Sequence, residues 1–182
     1  MTFVKKVVAL VFIMMCELSC MGLAQATVKQ FRITPTIGTG AYEALDQVGG
    51  LQTLTAAAIG ADSTAKLTTL VVIDKDAEGA ALRLLFFSEA PTLTSVDSAV
   101  LAVTDAELAS KLLGAVELAG DDYVTVAGAK VAALGNVDLD LISTALDTTL
   151  RKNKNLYVVV QMVGTPTYTA ASDLVFLYTL ED

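Results

Sequence analysis

The sequence predicts an all-β chain: an antiparallel β-sandwich of jelly-roll type with one short helix near residues 104–113. Three observations predict it. Runs rich in Val, Ile, Leu, Thr and Phe recur between Gly, Asn, Asp and Pro. From Val28 onward no helix-period apolar run is longer than about two turns. One stretch, Thr104-Asp105-Ala106-Glu107, carries a helix-start signal. Regularly spaced strands with a single helix fit a sandwich rather than an alternating parallel fold.

The elements follow in order. Val28-Lys29-Gln30-Phe31-Arg32-Ile33-Thr34 alternates roughly between apolar and polar side chains and stops at Pro35. Thr39 to Ala44 is a short second strand, and Leu51 to Leu54 leads out of a turn at Asp46 to Gly50. Lys66 to Ile73 and Ala81 to Phe87 read as the arms of a hairpin, separated by the turn-like Asp74-Lys75-Asp76-Ala77-Glu78-Gly79. Both arms end as near-continuous apolar strings, the pattern of strands buried on two faces. Thr104 as cap and Glu107 three residues on start the helix, with Leu108, Leu112 and Leu113 on one side. Ala115 to Leu118, Tyr123 to Val126, Val131 to Ile142, Asn155 to Val163 and Ser172 to Leu180 complete the strands. A single domain is expected over residues 27–182; about 155 residues bury close to 70% of their unfolded surface.

Composition removes most enzyme chemistry. The chain has no His and no Trp, and its two Cys, Cys16 and Cys20, lie in the N-terminal segment. A chain processed after Ala26 has neither thiol nor imidazole. That excludes Ser-His-Asp and Cys-His catalysis, Cys/His zinc sites, histidine-ligated haem and disulfides. No enzyme activity and no cofactor are expected. Lys plus Arg is 12 against 20 Asp plus Glu, a net charge of −8. A surface of that sign repels phosphate backbones, so nucleic acid is not an expected partner. Only 18% of residues are charged while 54% are hydrophobic, which suits a protein lying against other protein.

Residues 1–26 form a separate segment. Lys5-Lys6 precede nine apolar residues, Val7 to Met15, and Ala24-Gln25-Ala26 resembles a cleavage site: the three parts of a secretory signal peptide. The run is too short for a membrane-spanning helix, which needs about 20 residues. A lipoprotein reading of Cys20 meets Glu17 where a Leu belongs. The competing explanations are an extended arm and a start upstream of the true initiator, with Met14, Met15 and Met21 as alternatives.

Several residue groups invite chemistry. Asp74-x-Asp76-x-Glu78-Gly79 resembles the opening of a calcium loop. The twelfth position, where a bidentate Glu belongs, is Leu85, so a solvated turn is the competing reading and no metal is expected. Asp138 and Asp140, two apart on a strand, share a face as a glycosidase pair would. The alternate Leu139 and Leu141 give the ordinary explanation, one wet strand face. Asp121-Asp122 is the other close acidic pair. Gly38-x-Gly40 and Gly49-Gly50 lack the helix of a phosphate loop and read as turns. Arg151-Lys152-Asn153-Lys154 is a basic spot on an acidic chain. It is either the polar tip of a hairpin joining 138–143 to 155–163, or a docking element in which Arg151, Lys152 and Lys154 meet an acidic neighbour or another copy of the chain.

A series of stretches resembles a group of small tailed-bacteriophage virion structural proteins. Phe31-Arg32-Ile33-Thr34-Pro35-Thr36-Ile37, Ala41-Tyr42 and Asp46-x-Val48-Gly49-Gly50-Leu51 open it. Leu70-x-Val72-x-Asp74-Lys75-Asp76, Leu82-x-Leu84-x-Phe86-Phe87 and Val103-x-Asp105-Ala106-Glu107-Leu108 continue it. Leu156-Tyr157, Gly164-Thr165-Pro166-Thr167-Tyr168 and Ser172-Asp173-Leu174 close it, so that the likeness covers nearly all of 28–182 in order. The resemblance implies a non-enzymatic capsid-associated or decoration-type protein, located in the virion, whose partners are itself, as a homo-oligomer, and the major capsid protein. Proteins of this group begin near the position of Thr27, which leaves residues 1–26 as an addition. The alternative function is a secreted or periplasmic adhesin-like binding module, for which the leader-like segment speaks.

Overall fold

A computed structural model describes residues 27–57, 65–141 and 155–181, which form two sheets around a shared core. The strands are β1 (Val28–Ile33), β2 (Gly40–Ala41), β3 (Gln52–Leu54), β4 (Lys66–Asp74), β5 (Leu82–Phe87), β6 (Leu112–Leu118), β7 (Tyr123–Val126), β8 (Ala129–Asp140), β9 (Leu156–Met162), β10 (Thr167–Tyr168) and β11 (Leu174–Glu181). Helix α1 (Asp105–Lys111) precedes β6, and a 3-10 turn (Gly120–Asp122) precedes β7.

Sheet one has the order β1-β11-β4-β8-β7 and sheet two the order β3-β9-β5-β6, all antiparallel; β2 and β10 form a small ribbon. The pairing is nested. The first long strand pairs with the last (β1 with β11), β3 with β9, β4 with β8, and β5 with β6 at the tip. A long hairpin folded over on itself in this way is the eight-stranded jelly roll. The expected fold class is observed, and β7 adds one strand to it.

The core lies between the sheets because strand side chains alternate. Leu67, Leu70, Val72, Leu174, Phe176, Tyr178 and Leu180 face inward from sheet one, and Leu82, Leu84, Phe86, Leu156, Val158, Val160 and Met162 from sheet two. Phe86 meets Tyr178 edge-on at 6.2 Å and 89° across the two sheets. The Tyr178 hydroxyl donates to Gln52 Oε1 at 2.7 Å, a buried polar tie from sheet one to sheet two.

Two expectations need correction. Residues 66–73 and 81–87 are not arms of a hairpin: β4 belongs to sheet one and β5 to sheet two. The turn between them is a crossover, held by the Asp74 carboxylate, which accepts from Asp76 N at 3.0 Å and Gly79 N at 2.6 Å. Likewise β8 and β9 lie in different sheets, so 138–143 and 155–163 do not pair as a hairpin; their connection, with Arg151, Lys152 and Lys154, lies outside the described residues. The residues 1–26 lie outside them too. The helix forms where expected, with Thr104 Oγ1 accepting from Glu107 N, but ends at Lys111. Leu112 and Leu113 enter β6 instead, drawn by pairing of Leu112 with Phe87. Among the described residues no helix is long and apolar enough to cross a membrane.

Candidate interaction surface

The two sheets turn different faces outward. On sheet one the residues between the core positions are Val71 and Ile73 on β4, Val175 and Leu177 on β11, Val131 and Ala133 on β8, and Val124 on β7. The registers join them into rows: Val175, Ile73, Val131 and Val124 in one, Leu177, Val71 and Ala133 beside it. Val175 is buried, Ile73, Val71, Leu177 and Val131 are half-buried, and Val124 is 62% exposed. The strip crosses four strands without a charged side chain; Arg32 borders it, opposite Leu177. Among the described helices and strands none packs on this face. Contiguous apolar surface of this kind marks a site of contact with other protein.

Sheet two is closed outward by polar links. Gln47, Gln161, Arg83 and Glu117 form one row across it. Arg83 Nε donates to Glu117 Oε1 at 2.7 Å, Arg83 Nη1 to Gln161 Oε1 at 3.1 Å, and Ser95 Oγ to Gln47 Oε1 at 2.6 Å. Of its apolar outer residues, Phe87 and Val159 are buried and Leu85 and Tyr157 half-buried. The segment 97–101 hydrogen-bonds along residues 45–47, which in turn pair with β9 beyond the end of β3, so that stretch of β9 is covered by further chain.

Asp97 fastens that lining. Its carboxylate accepts from the Tyr42 hydroxyl at 2.7 Å and from the backbone N–H groups of Gly38 and Gly49. The two glycine-bearing turns therefore do cradle an anion, the protein's own carboxylate. Gly49 needs its glycine: its φ is +65°, and a Cβ there would stand 2.9 Å from Pro35 Cβ. Burial, with the adjoining Asp97 charge, pushes the Tyr42 hydroxyl up to about 12. Tyr42 also meets Tyr168 edge-on at 5.7 Å. Sequence reading missed Asp97, whose partners lie 48 to 59 residues away, too far for spacing to reveal.

The residues singled out from sequence sit apart. Asp74, fully buried, spends both oxygens on turn amides, and burial, followed by the charges of Glu78 and Asp76, raises its pKa. Asp76 accepts from Thr169 N at 2.7 Å and Thr169 Oγ1 at 3.0 Å. The backbone oxygen of Glu78 takes Lys130 Nζ at 3.0 Å. The string thus holds a crossover and docks it on the turn after β10; among the described residues no group of three or more acidic, Cys or His side chains is placed to hold a metal. Lys66 lies against both Asp138 and Asp140, at 2.6 and 3.6 Å, while Asp138 occupies a bulge with φ 50°. Asp122 accepts from Ala119 N at 2.8 Å and closes the 3-10 turn. A shallow cleft lined by Thr92, Thr94, Val103 and Glu107 lies beside α1. Its carboxylate already holds Thr92 N and Lys111 Nζ, which lowers the Glu107 pKa.

No protein-family model matches the chain, and no curated protein matches it. Among solved structures, turnip yellow mosaic virus is similar at 15% identity and a TM-score of 0.30, over 86% of this chain and 79% of that one. Desmodium yellow mottle tymovirus follows at 11% and 0.26, over 86% and 81%. A full particle of Israeli acute paralysis virus heated to 63 degrees gives 9% and 0.28, over 86% and 67%. At such scores these likenesses carry no argument; the jelly-roll assignment rests on the strand order.

Proposed function

We infer that the chain is a non-enzymatic packing subunit of a virus particle, a decoration or accessory protein that lies against the shell and against copies of itself. The observation that carries this reading is the uncharged apolar strip on the outer face of sheet one, buried at Val175 but half open to exposed from Leu177 and Val71 to Val124, on a chain whose net charge is −8. On an acidic molecule such a strip is where another protein can approach without repulsion, and its burial there is favourable at roughly 25 cal/mol per Å². The resemblance of a series of stretches to tailed-bacteriophage virion proteins speaks for the same reading. Arg151, Lys152 and Lys154 supply a cationic contact to an acidic neighbour, so their joint neutralisation weakens assembly at low salt and much less at high salt.

Mass spectrometry of purified particles tests the function. Recovery of the protein in fixed ratio to the shell protein is the expected result. Its absence from particles, with recovery from a periplasmic extract, would overturn the reading in favour of a secreted binding module.

A further inference from the structure

The geometry points to β7 as the edge through which two copies of this chain pair, joining their first sheets into one continuous ten-stranded sheet. This rests on the packing reading and names the surface that one contact uses.

β7 is the strand added to the eight-stranded core, and its outer edge has no pairing strand among the described residues. Unpaired edges are ordinarily guarded by charge or Pro. The opposite edge of the sheet, β1, carries Lys29 and Arg32. In sheet two, β3 is only three residues long and β6 carries Glu117. β7 reads Tyr-Val-Thr-Val, with no charge and no Pro, and exposes Val124 by 62% and Val126 by 51%. An uncharged, β-branched, exposed edge is a template for another strand.

The hairpin to β8 fixes which backbone groups are offered. Ala127 and Gly128 have φ of 49° and 87°, the two positive values of a two-residue I′ turn, with Val126 opposite Ala129. The closing pair of such a turn is hydrogen-bonded, and bonded and non-bonded pairs then alternate. Val126 and Val124 therefore point their N–H and C=O groups at β8, while Thr125 and Tyr123 point theirs outward. A partner that keeps inner and outer faces aligned has its two-fold axis at Val124 or at Thr125. In the first register Asp122 faces Val126 of the other copy; in the second it faces Gly128. Neither sets acid against acid, and both continue the apolar row of Val175, Ile73, Val131 and Val124 onto a second molecule. The edge thus complements itself, and the occupant is a second copy.

Sedimentation velocity on the full-length chain tests this with two variants. Thr125→Pro deletes an outward N–H and leaves the β8 ladder intact, and Val124→Lys/Val126→Lys puts like charges together in either register. The expected result is a wild-type dimer at concentrations on the order of 10 μM, with both variants shifted to monomer by at least tenfold in dissociation constant and unchanged in melting temperature. Arg32→Glu, on the guarded edge, leaves the dimer in place. A monomeric wild type, or a dimer surviving in both variants, overturns the inference. A monomer still found in purified particles overturns the β7 edge alone, whereas a dimer absent from particles supports the edge and overturns the particle assignment.

Discussion

The outer faces of the two sheets solve the same problem in opposite ways. Both sheets have apolar residues on the side away from the core, as β-branched strands within a sequence of 54% hydrophobic residues must. Sheet two buries Phe87 and Val159, leaves Leu85 and Tyr157 half open, crosses its surface with Arg83 between Glu117 and Gln161, and covers the end of β9 with a segment held by Asp97. Sheet one leaves Ile73, Val71, Leu177 and Val131 half open. The first surface is tied together by polar links within one molecule; the second has no such links across its apolar strip.

The contrast can be broken from its closed side. Asp97→Ala removes the acceptor of Gly38 N, Gly49 N and the Tyr42 hydroxyl together, and orphaned donors cost about 1–3 kcal/mol each when buried. A loss of about 3 kcal/mol in urea unfolding is expected, with Asp97→Asn recovering part of it. A change below about 1 kcal/mol would mean that the lining of sheet two is ornamental.

The open side should respond the other way. Val71→Lys/Leu177→Lys places cations on the strip of sheet one, where long stems keep their charges in water. Stability should move by less than about 1 kcal/mol, while incorporation into particles, measured by quantitative mass spectrometry, falls at least about tenfold, or ~1.4 kcal/mol. Equal incorporation would remove the strip as a docking face.

Asp74 sharpens the comparison at the crossover between the sheets. Its folded-state pKa is raised, first by burial. The folded protein therefore holds that proton more tightly than the unfolded chain does, and the corresponding stability is present in acid and lost as pH rises through the folded pKa. Asp74→Asn keeps an oxygen for one turn amide and cannot ionise. Relative to wild type it should gain stability between pH 4 and pH 7, a smaller effect than the two above; melting curves across that range show it, and a parallel pair of curves would refute it. The smallest change is expected for Arg83→Ala. Its partner Glu117 is 67% exposed, and exposed ion pairs contribute about 0.2–1 kcal/mol, so the ladder closes a surface more than it stabilises a fold.

Much of the fold was legible because strands and caps are local. Tyr123 to Val126 forms as read, and Thr104 with Glu107 starts the helix. Strand partners were not legible, because near-continuous apolar runs read as strands buried on two faces and say nothing about which sheet each joins; the outer residues of β4 are in fact half open. The Asp74 turn looked like a hairpin tip since its composition is that of any turn; only its carboxylate geometry makes it a crossover. The surface was the least legible. Val71, Ile73, Val131 and Leu177 adjoin only after three strands distant in sequence are set side by side, and Val124 was hidden in an unremarkable stretch whose edge position depends on β8.

The nested pairing has a consequence in time. Val28, near the start of the sheets, pairs with Glu181 near their end, and β11 sits between β1 and β4. During synthesis β1 emerges before every other described strand, and its partner among the described residues, β11, is made after all of them. Folds dominated by such distant pairings form slowly, on the order of milliseconds to seconds. The charges on β1 guard it through that interval. A chain cut before β11 would lose the middle of a sheet rather than its margin, so even a short C-terminal truncation should yield protein that cannot complete the sandwich.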